Sequence, residues 1–275
     1  MSEDILEYDN RYWTLSGRRL SYMRDKTQDD RYFILTLFAI AKELERMDHC
    51  SPIEQVDLAV GLPPEHYGIL KNKFAKYFKR PEPVKFVYRD RPYSIIINQV
   101  FVFPQAYAAI IPQSSQVVQM LRMFIVDIGG YTTDVLLLCN GKPDLQFCRS
   151  LESGVITMNN EIVRKVGALH DMRIEDEHIS AVLQGKETIL PDDVHATIRE
   201  ETRLHAKDIL DKLRELQVDL RSNPVTFIGG GSALFRPFLE ASPLVAKASF
   251  AEDSKANAIG YELLAKKQLA LRSIR

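Results

Sequence analysis

Residues 125–134 read Ile125-Val126-Asp127-Ile128-Gly129-Gly130-Tyr131-Thr132-Thr133-Asp134, and apolar residues resume at once with Val135-Leu136-Leu137-Leu138. An apolar run of strand type ends in an acid, two glycines and hydroxyls, and a second such run follows. The pattern is strand, tight turn, strand, with polar atoms gathered at the tip. Glycine lets the backbone turn sharply and come close to a ligand. Successive turn N–H groups can cradle an anion such as a phosphate. The acid before the glycines is placed to hold a hydrated cation. The same letters also describe an ordinary Gly-Gly hairpin, with Asp127 capping the turn and the threonines favouring strand.

A second glycine cluster lies far downstream, in Val225-Thr226-Phe227-Ile228-Gly229-Gly230-Gly231-Ser232-Ala233-Leu234-Phe235. Here a short β-type run ends in glycines and a helix follows, with Leu234, Phe235, Phe238 and Leu239 as its apolar positions. A helix start after such a turn offers N–H groups and the positive end of the helix dipole. Three consecutive glycines cost much conformational entropy, so a plain connector would more often use one or two. No Gly-Lys-Ser/Thr follows, and the spacing is not that of a dinucleotide fingerprint.

Together the two loops resemble those of the actin-like ATPase superfamily, which also takes in sugar kinases and heat-shock chaperone ATPases. Asp127, Gly129 and Thr132 match that family's Asp-x-Gly-x-x-Thr phosphate loop. Gly229, Gly230, Gly231 and Ser232 match its adenosine-side turn. Two connecting segments also fit, Phe103-Pro104-Gln105-Ala106-Tyr107-Ala108-Ala109 and Ala256-Asn257-Ala258-Ile259-Gly260-Tyr261, and all four occur in family order. Within the superfamily the chain is similar to plasmid-partition actins of the ParM/StbA type. That likeness is carried by Arg24-Asp25-Lys26-Thr27, Leu58-Ala59-Val60-Gly61-Leu62-Pro63, Val102-Phe103-Pro104-Gln105 and Arg149-Ser150-Leu151-Glu152-Ser153-Gly154.

The resemblance implies an α/β fold of two ribonuclease-H-like lobes with nucleotide in a cleft between them. Residues 1–111 would form the first lobe, joined by a C-terminal helix over 253–272. Residues 112–252 would form the second, with its phosphate loop at 125–134 and its adenosine loop at 228–235. The family's first phosphate loop, an Asp-x-Gly on the opening strand, has no counterpart upstream of Asp127, and Tyr12-Trp13-Thr14-Leu15 looks like the family's third strand. The first lobe is therefore expected to be incomplete at its N-terminus, with an exposed sheet edge and apolar helix faces. A truncated chain and a degenerate relative unable to hydrolyse ATP both fit; the intact remaining motifs favour truncation.

The resemblance also implies the site residues. ATP or GTP with Mg2+ would be held by Asp127, Gly129, Gly130, Tyr131, Thr132 and Thr133 on the phosphate side. Asp127 would hold the metal through water, with Asp134 orienting the loop. Gly229, Gly230, Gly231, Ser232 and Phe235 would border the adenosine. Glu161 and Lys165, four apart on one helix face, would bracket ribose and base; a surface ion pair is an equal reading. Gln105 stands where the family places a Gln or Glu beside the attacking water, which an amide can orient but not deprotonate. The expected partners are further copies of the chain in a head-to-tail filament and an adaptor protein bound to plasmid DNA. The expected setting is bacterial cytoplasm, with no direct DNA or membrane binding. A non-catalytic binding or scaffold module is the second reading. A small-molecule kinase of the same superfamily is the third, without a sugar-recognising signature to support it.

Bulk properties suit such a protein. The 275 residues suffice for one large or two medium domains, with 45% hydrophobic and 27% charged residues and a formal net charge of -1. Such a balance sets up no global field toward nucleic acid or membrane. Lys71, Lys73, Lys76, Lys79 and Arg80 crowd one segment and read as a solvated helix face, with filament contact as the functional alternative. Cys50, Cys139 and Cys148 lack metal spacing and suit a reducing compartment.

Periodicity predicts helices over 28–47, 65–79, 105–111, 174–183 and 192–217, one running on from Gly154, and a last one from about Asp253. It predicts strands at 56–62, 84–103 with a turn at Arg89-Asp90-Arg91-Pro92, and near 145–149. His205 falls on the apolar stripe of the 192–217 helix and reads as a core or boundary residue.

Overall fold

The computed structural model describes residues 4–16, 23, 25–47, 51–113, 120–251 and 255–273. Arg24, Cys50 and the expected helix start at Asp253 lie outside them. The chain divides into two compact units, Met1–Leu62 with Ile69–Phe103, and Pro63–Gly68 with Pro104–Arg275. Each carries one five-stranded sheet with helices, which is the mixed α/β architecture expected.

In the first unit, β1 (Ile5–Tyr8) and β2 (Arg11–Thr14) form a hairpin. The helix α1 (Arg31–Met47) precedes β3 (Glu54–Leu62), and Pro64 then opens α2 (Pro64–Phe78), where a missing N–H does no harm. Strands β4 (Val84–Tyr88) and β5 (Arg91–Pro104) turn at Arg89 and Asp90, both at positive φ. The sheet order is β2-β1-β4-β5-β3, so among the described residues β3 is an edge. Aromatic packing ties α1 and α2 to the unit: Phe33 meets Tyr8 and Tyr77, and Phe38 meets Tyr88. The Tyr77 hydroxyl accepts from the Phe33 N–H at 2.8 Å and donates to the Asp29 carbonyl at 2.7 Å. In the lysine-rich segment Lys73 pairs with Asp25, and Arg80 reaches Asp30 while lying over the Phe33 ring.

The second unit builds its sheet in the order β10-β9-β6-β7-β8. Strands β6 (Arg122–Ile128), β7 (Thr133–Cys139) and β8 (Lys142–Leu151) are antiparallel. Strands β9 (Val225–Ile228) and β10 (Ala248–Phe250) run parallel to β6. The helices are α3 (Val155–His170), α4 (Asp176–Leu183), α5 (Asp192–Glu215), α6 (Ser232–Glu240) and α7 (Ala256–Ser273).

Strand β6 is buried on both faces, so its alternation sorts residues between two cores. Phe124, Val126 and Ile128 join Val135, Leu137, Met158, Ile198, Ile209 and Phe235 on the side of α3, α5 and α6. Met123 and Ile125 join Ala106, Ala109, Ile110, Leu136 and Leu138 on the other. Asp127 therefore points to the second face, toward residues 105–110 and α7. A one-residue slip would reverse this.

Residues 105–111, expected to be helix, differ. Gln105 to Tyr107 form a tight turn with Ala106 at φ 63°, and a 3-10 helix over Ala108–Gln113 follows. The positive φ at Ala106 cannot start a right-handed helix, and Pro112 has no N–H to extend one. This 3-10 helix packs against α7 so closely that a Cβ on Gly260 would fall inside the Ala108 carbonyl. Gly260→Ala is expected to destabilise the chain by about 2–4 kcal/mol, because the clash outweighs a helix-propensity gain of about 1 kcal/mol. Gly68→Ala, where a Cβ meets open space in α2, should be neutral or stabilising by up to about 1 kcal/mol. Urea unfolding of both variants checks the contrast.

Candidate functional site

Three glycine-bearing segments of the second unit meet around the end of β6. The hairpin tip is closed by Gly129 N–H to the Thr132 carbonyl at 2.8 Å. Its Gly129 and Gly130 carbonyls accept from Val155 N–H at 3.1 Å and Ile156 N–H at 2.7 Å in the first turn of α3. Gly154 lies against the Gly130 backbone at a distance no side chain would permit. In the third segment Gly229 takes φ 85°, and a Cβ there would overlap Asp127 Oδ1. Gly231 N–H donates to the Ile128 carbonyl at 3.0 Å, binding the two loops together. Ser232 Oγ returns to the Gly229 carbonyl at 2.8 Å. Gly230 faces open space.

Asp127 and Asp134 are directly opposite in the β6–β7 register, on the same face. Burial and the facing Asp134 push the Asp127 carboxyl up to about 6. Burial raises Asp134 as well, opposed by Ser150 and by Thr132, whose Oγ1 lies 3.2 Å from Asp134 Oδ2. Among the described residues no Lys or Arg acts on the Asp127 carboxyl. Asp127 receives an N–H of Asn257 at 3.3 Å. Two adjacent deeply set carboxylates suit a cation. Among the described residues no group of three or more His, Cys, Asp or Glu could hold a metal ion. A divalent cation at Asp127 would thus take most of its shell from water and ligand oxygens, as Mg2+ commonly does.

The other expected site residues divide. Gln105 lies in the same unit, facing the buried Tyr261 hydroxyl. Tyr131 is at the hairpin tip and half-buried. Thr133 is fully buried, and its hydroxyl donates to the Ser153 carbonyl at 2.6 Å, so in this structure it braces the loop instead of facing outward. Glu161 and Lys165 each reach α5: Glu161 lies 3.6 Å from His205 Nδ1, and Lys165 lies 3.8 Å from Glu201. Phe235 is fully buried and stacks on the His205 ring at 5.7 Å. His205 is buried, as its place on the apolar stripe implies, and desolvation holds its imidazole below the ordinary range. Asn257 and Tyr261 fall in a segment that the resemblance singled out, yet neither was assigned a role at the site. Their one-turn spacing on α7 was the available signal.

The raised Asp127 carboxyl has a direct stability consequence. A group whose folded pKa exceeds its unfolded value supports folding at low pH and loses that support as pH rises through the folded pKa. Asp127→Asn is therefore expected to stabilise the ligand-free protein at pH 7.5 by about 2–3 kcal/mol. The gain should shrink as pH falls through 6 toward 4. Thermal melts of both proteins across pH 4–8 measure it.

Two family models match in succession: "Actin like proteins N terminal domain" over residues 12–107, and "Archaeal actin homologue MreB-like, C-terminal" over residues 125–241. No curated protein matches the sequence. Among solved structures, the archaeal actin homologue Ta0583 is similar with TM-score 0.74 at 19% identity, over 96% of this chain and 88% of that one. ParM of Bacillus thuringiensis with AMPPNP has TM-score 0.68 at 12% identity, over 98% and 86%. The Alp12 filament subunit has TM-score 0.64 at 16% identity, over 97% and 84%. With both sheets in place and two actin-type models spanning most of its length, the chain belongs to the actin-like superfamily.

Proposed function

We propose that this chain binds ATP or GTP with Mg2+ at the second-unit site and assembles into filaments that segregate plasmid DNA. The observation that carries the reading is the convergence of backbone glycines from three segments on a buried carboxylate with no cationic partner of its own among the described residues. Such a place suits a polyphosphate and its cation better than it suits a structural turn. Ta0583 has been solved with ADP, ParM of Bacillus thuringiensis with AMPPNP and with ATP, and Alp12 as a filament. These support nucleotide binding and head-to-tail self-association here.

In this reading Asp127 would hold Mg2+ through water, and the ion would supply charge neutralisation at the phosphates. The hairpin tip and Thr132 face the phosphates, and Gly229 to Ser232 border the nucleoside. Glu161 and Lys165, anchored to α5, lie on the ribose side. Gln105 orients the attacking water by donating and accepting hydrogen bonds without removing its proton. Filament growth needs a heterologous interface that repeats without closing. A DNA-bound adaptor protein would capture the filament end, in a cytoplasmic setting. Among the described residues no helix is long and apolar enough to cross a membrane.

Titration with ATP and Mg2+, read by nucleotide fluorescence and light scattering, tests the proposal. Saturable binding with concentration-dependent scattering and phosphate release is the expected result, and Asp127→Ala should abolish the Mg2+-dependent part. Binding without assembly or phosphate release would leave a scaffold module. Phosphate transfer to a sugar would sink the filament reading.

A further inference from the structure

The turn behind Gln105 is strained. Tyr107 N–H closes back onto the Gln105 carbonyl at 2.6 Å, across Ala106 at φ 63°. A three-residue turn with a left-handed central residue is rare, and alanine gains nothing there that glycine would not provide more easily. Such a conformation persists only where its surroundings over-determine it. Ala106 is fully buried, so its N–H has no water to turn to. Asn257 Oδ1 accepts that N–H at 3.0 Å. The other end of the same amide, Nδ2, donates to Asp127 Oδ2 at 3.3 Å. Gly260, three residues on, lets α7 approach closely enough for both bonds to form. Tyr261, one turn on from Asn257, meets the Gln105 side chain.

We infer that Asn257 is a positioning residue for the proposed nucleotide chemistry: one amide holds both the strained turn that aims Gln105 and the carboxylate of Asp127. The inference rests on the nucleotide reading above. It makes the water-orienting group and the cation-holding group depend on a single support from the C-terminal helix. The Ala106 backbone and the Asp127 carboxylate thereby share one hydrogen-bonding support.

The test uses the whole chain and the variants Asn257→Ala, Asn257→Asp, Ala106→Gly and the double variant N257A/A106G. Amide hydrogen exchange at Ala106 is measured without nucleotide. Affinity for a fluorescent ATP analogue and steady-state phosphate release are measured with Mg2+. In N257A the Ala106 amide should exchange at least about tenfold faster, and kcat should fall about 10–100-fold with KM within about threefold. Adding A106G should recover the part of kcat that depends on the turn, because glycine holds positive φ without the tether while the bond to Asp127 stays lost. N257D keeps an acceptor for Ala106 but sets a carboxylate against Asp127. It should retain Ala106 protection and lose about tenfold of the Mg2+-dependent affinity. Undiminished protection in N257A, kcat and KM moving together, or a double variant no better than N257A would each overturn the inference. A chain that binds no nucleotide overturns the function proposed above; one that turns nucleotide over equally well without Asn257 overturns this inference alone.

Discussion

The carboxylate of Asp127 sits where a glycine Cα, a second carboxylate and an asparagine amide leave it almost no room. That crowding organises the second unit. Gly229 must be glycine because Asp127 Oδ1 occupies the space of its side chain. Gly154 must be glycine because the Gly130 carbonyl occupies its own. The loops are then stitched to one another by backbone hydrogen bonds, Gly231 to Ile128 and Val155 and Ile156 to the hairpin carbonyls. A buried acid that is costly to ionise is thereby kept in a rigid, backbone-lined setting.

The sheet supplies the rigidity. Strand β6 lies between β7 and β9 and is packed on both faces, so its period-two alternation cannot slip without exposing one of two cores. The register that buries Phe124, Val126 and Ile128 against the helices is the one that turns Asp127 toward α7. The C-terminal helix completes the arrangement from the far end of the chain, through Asn257, Gly260 and Tyr261.

Much of this was readable from residue order. Short, nearly continuous apolar runs broken by glycine mark β6, β7 and β9, and the apolar stripes of α1 and α5 mark those helices to within a few residues at each end. The resemblance to actin-like proteins rested on four short segments and held for the fold. The turn at 105–107 was misread as helix because small residues in sequence look helical, whereas the backbone is set by a contact 151 residues away. Glu161 and Lys165 have the spacing of an ion pair, yet each has a different partner on α5, since tertiary neighbours compete with the helical ones. Thr133 looked like an outward donor because its strand phase is invisible until the register is known.

The sequence by itself determined the strand-turn-strand and strand-turn-helix units and the glycines that let them turn. Those are local properties, governed by side-chain period and by backbone freedom at single residues. Only the tertiary structure decided which face of β6 carries Asp127, how far its pKa rises, and that an amide on the last helix reaches both Asp127 and the Gln105 turn. Burial, register and helix-to-turn approach are relations between residues distant in the chain, and no single segment encodes them.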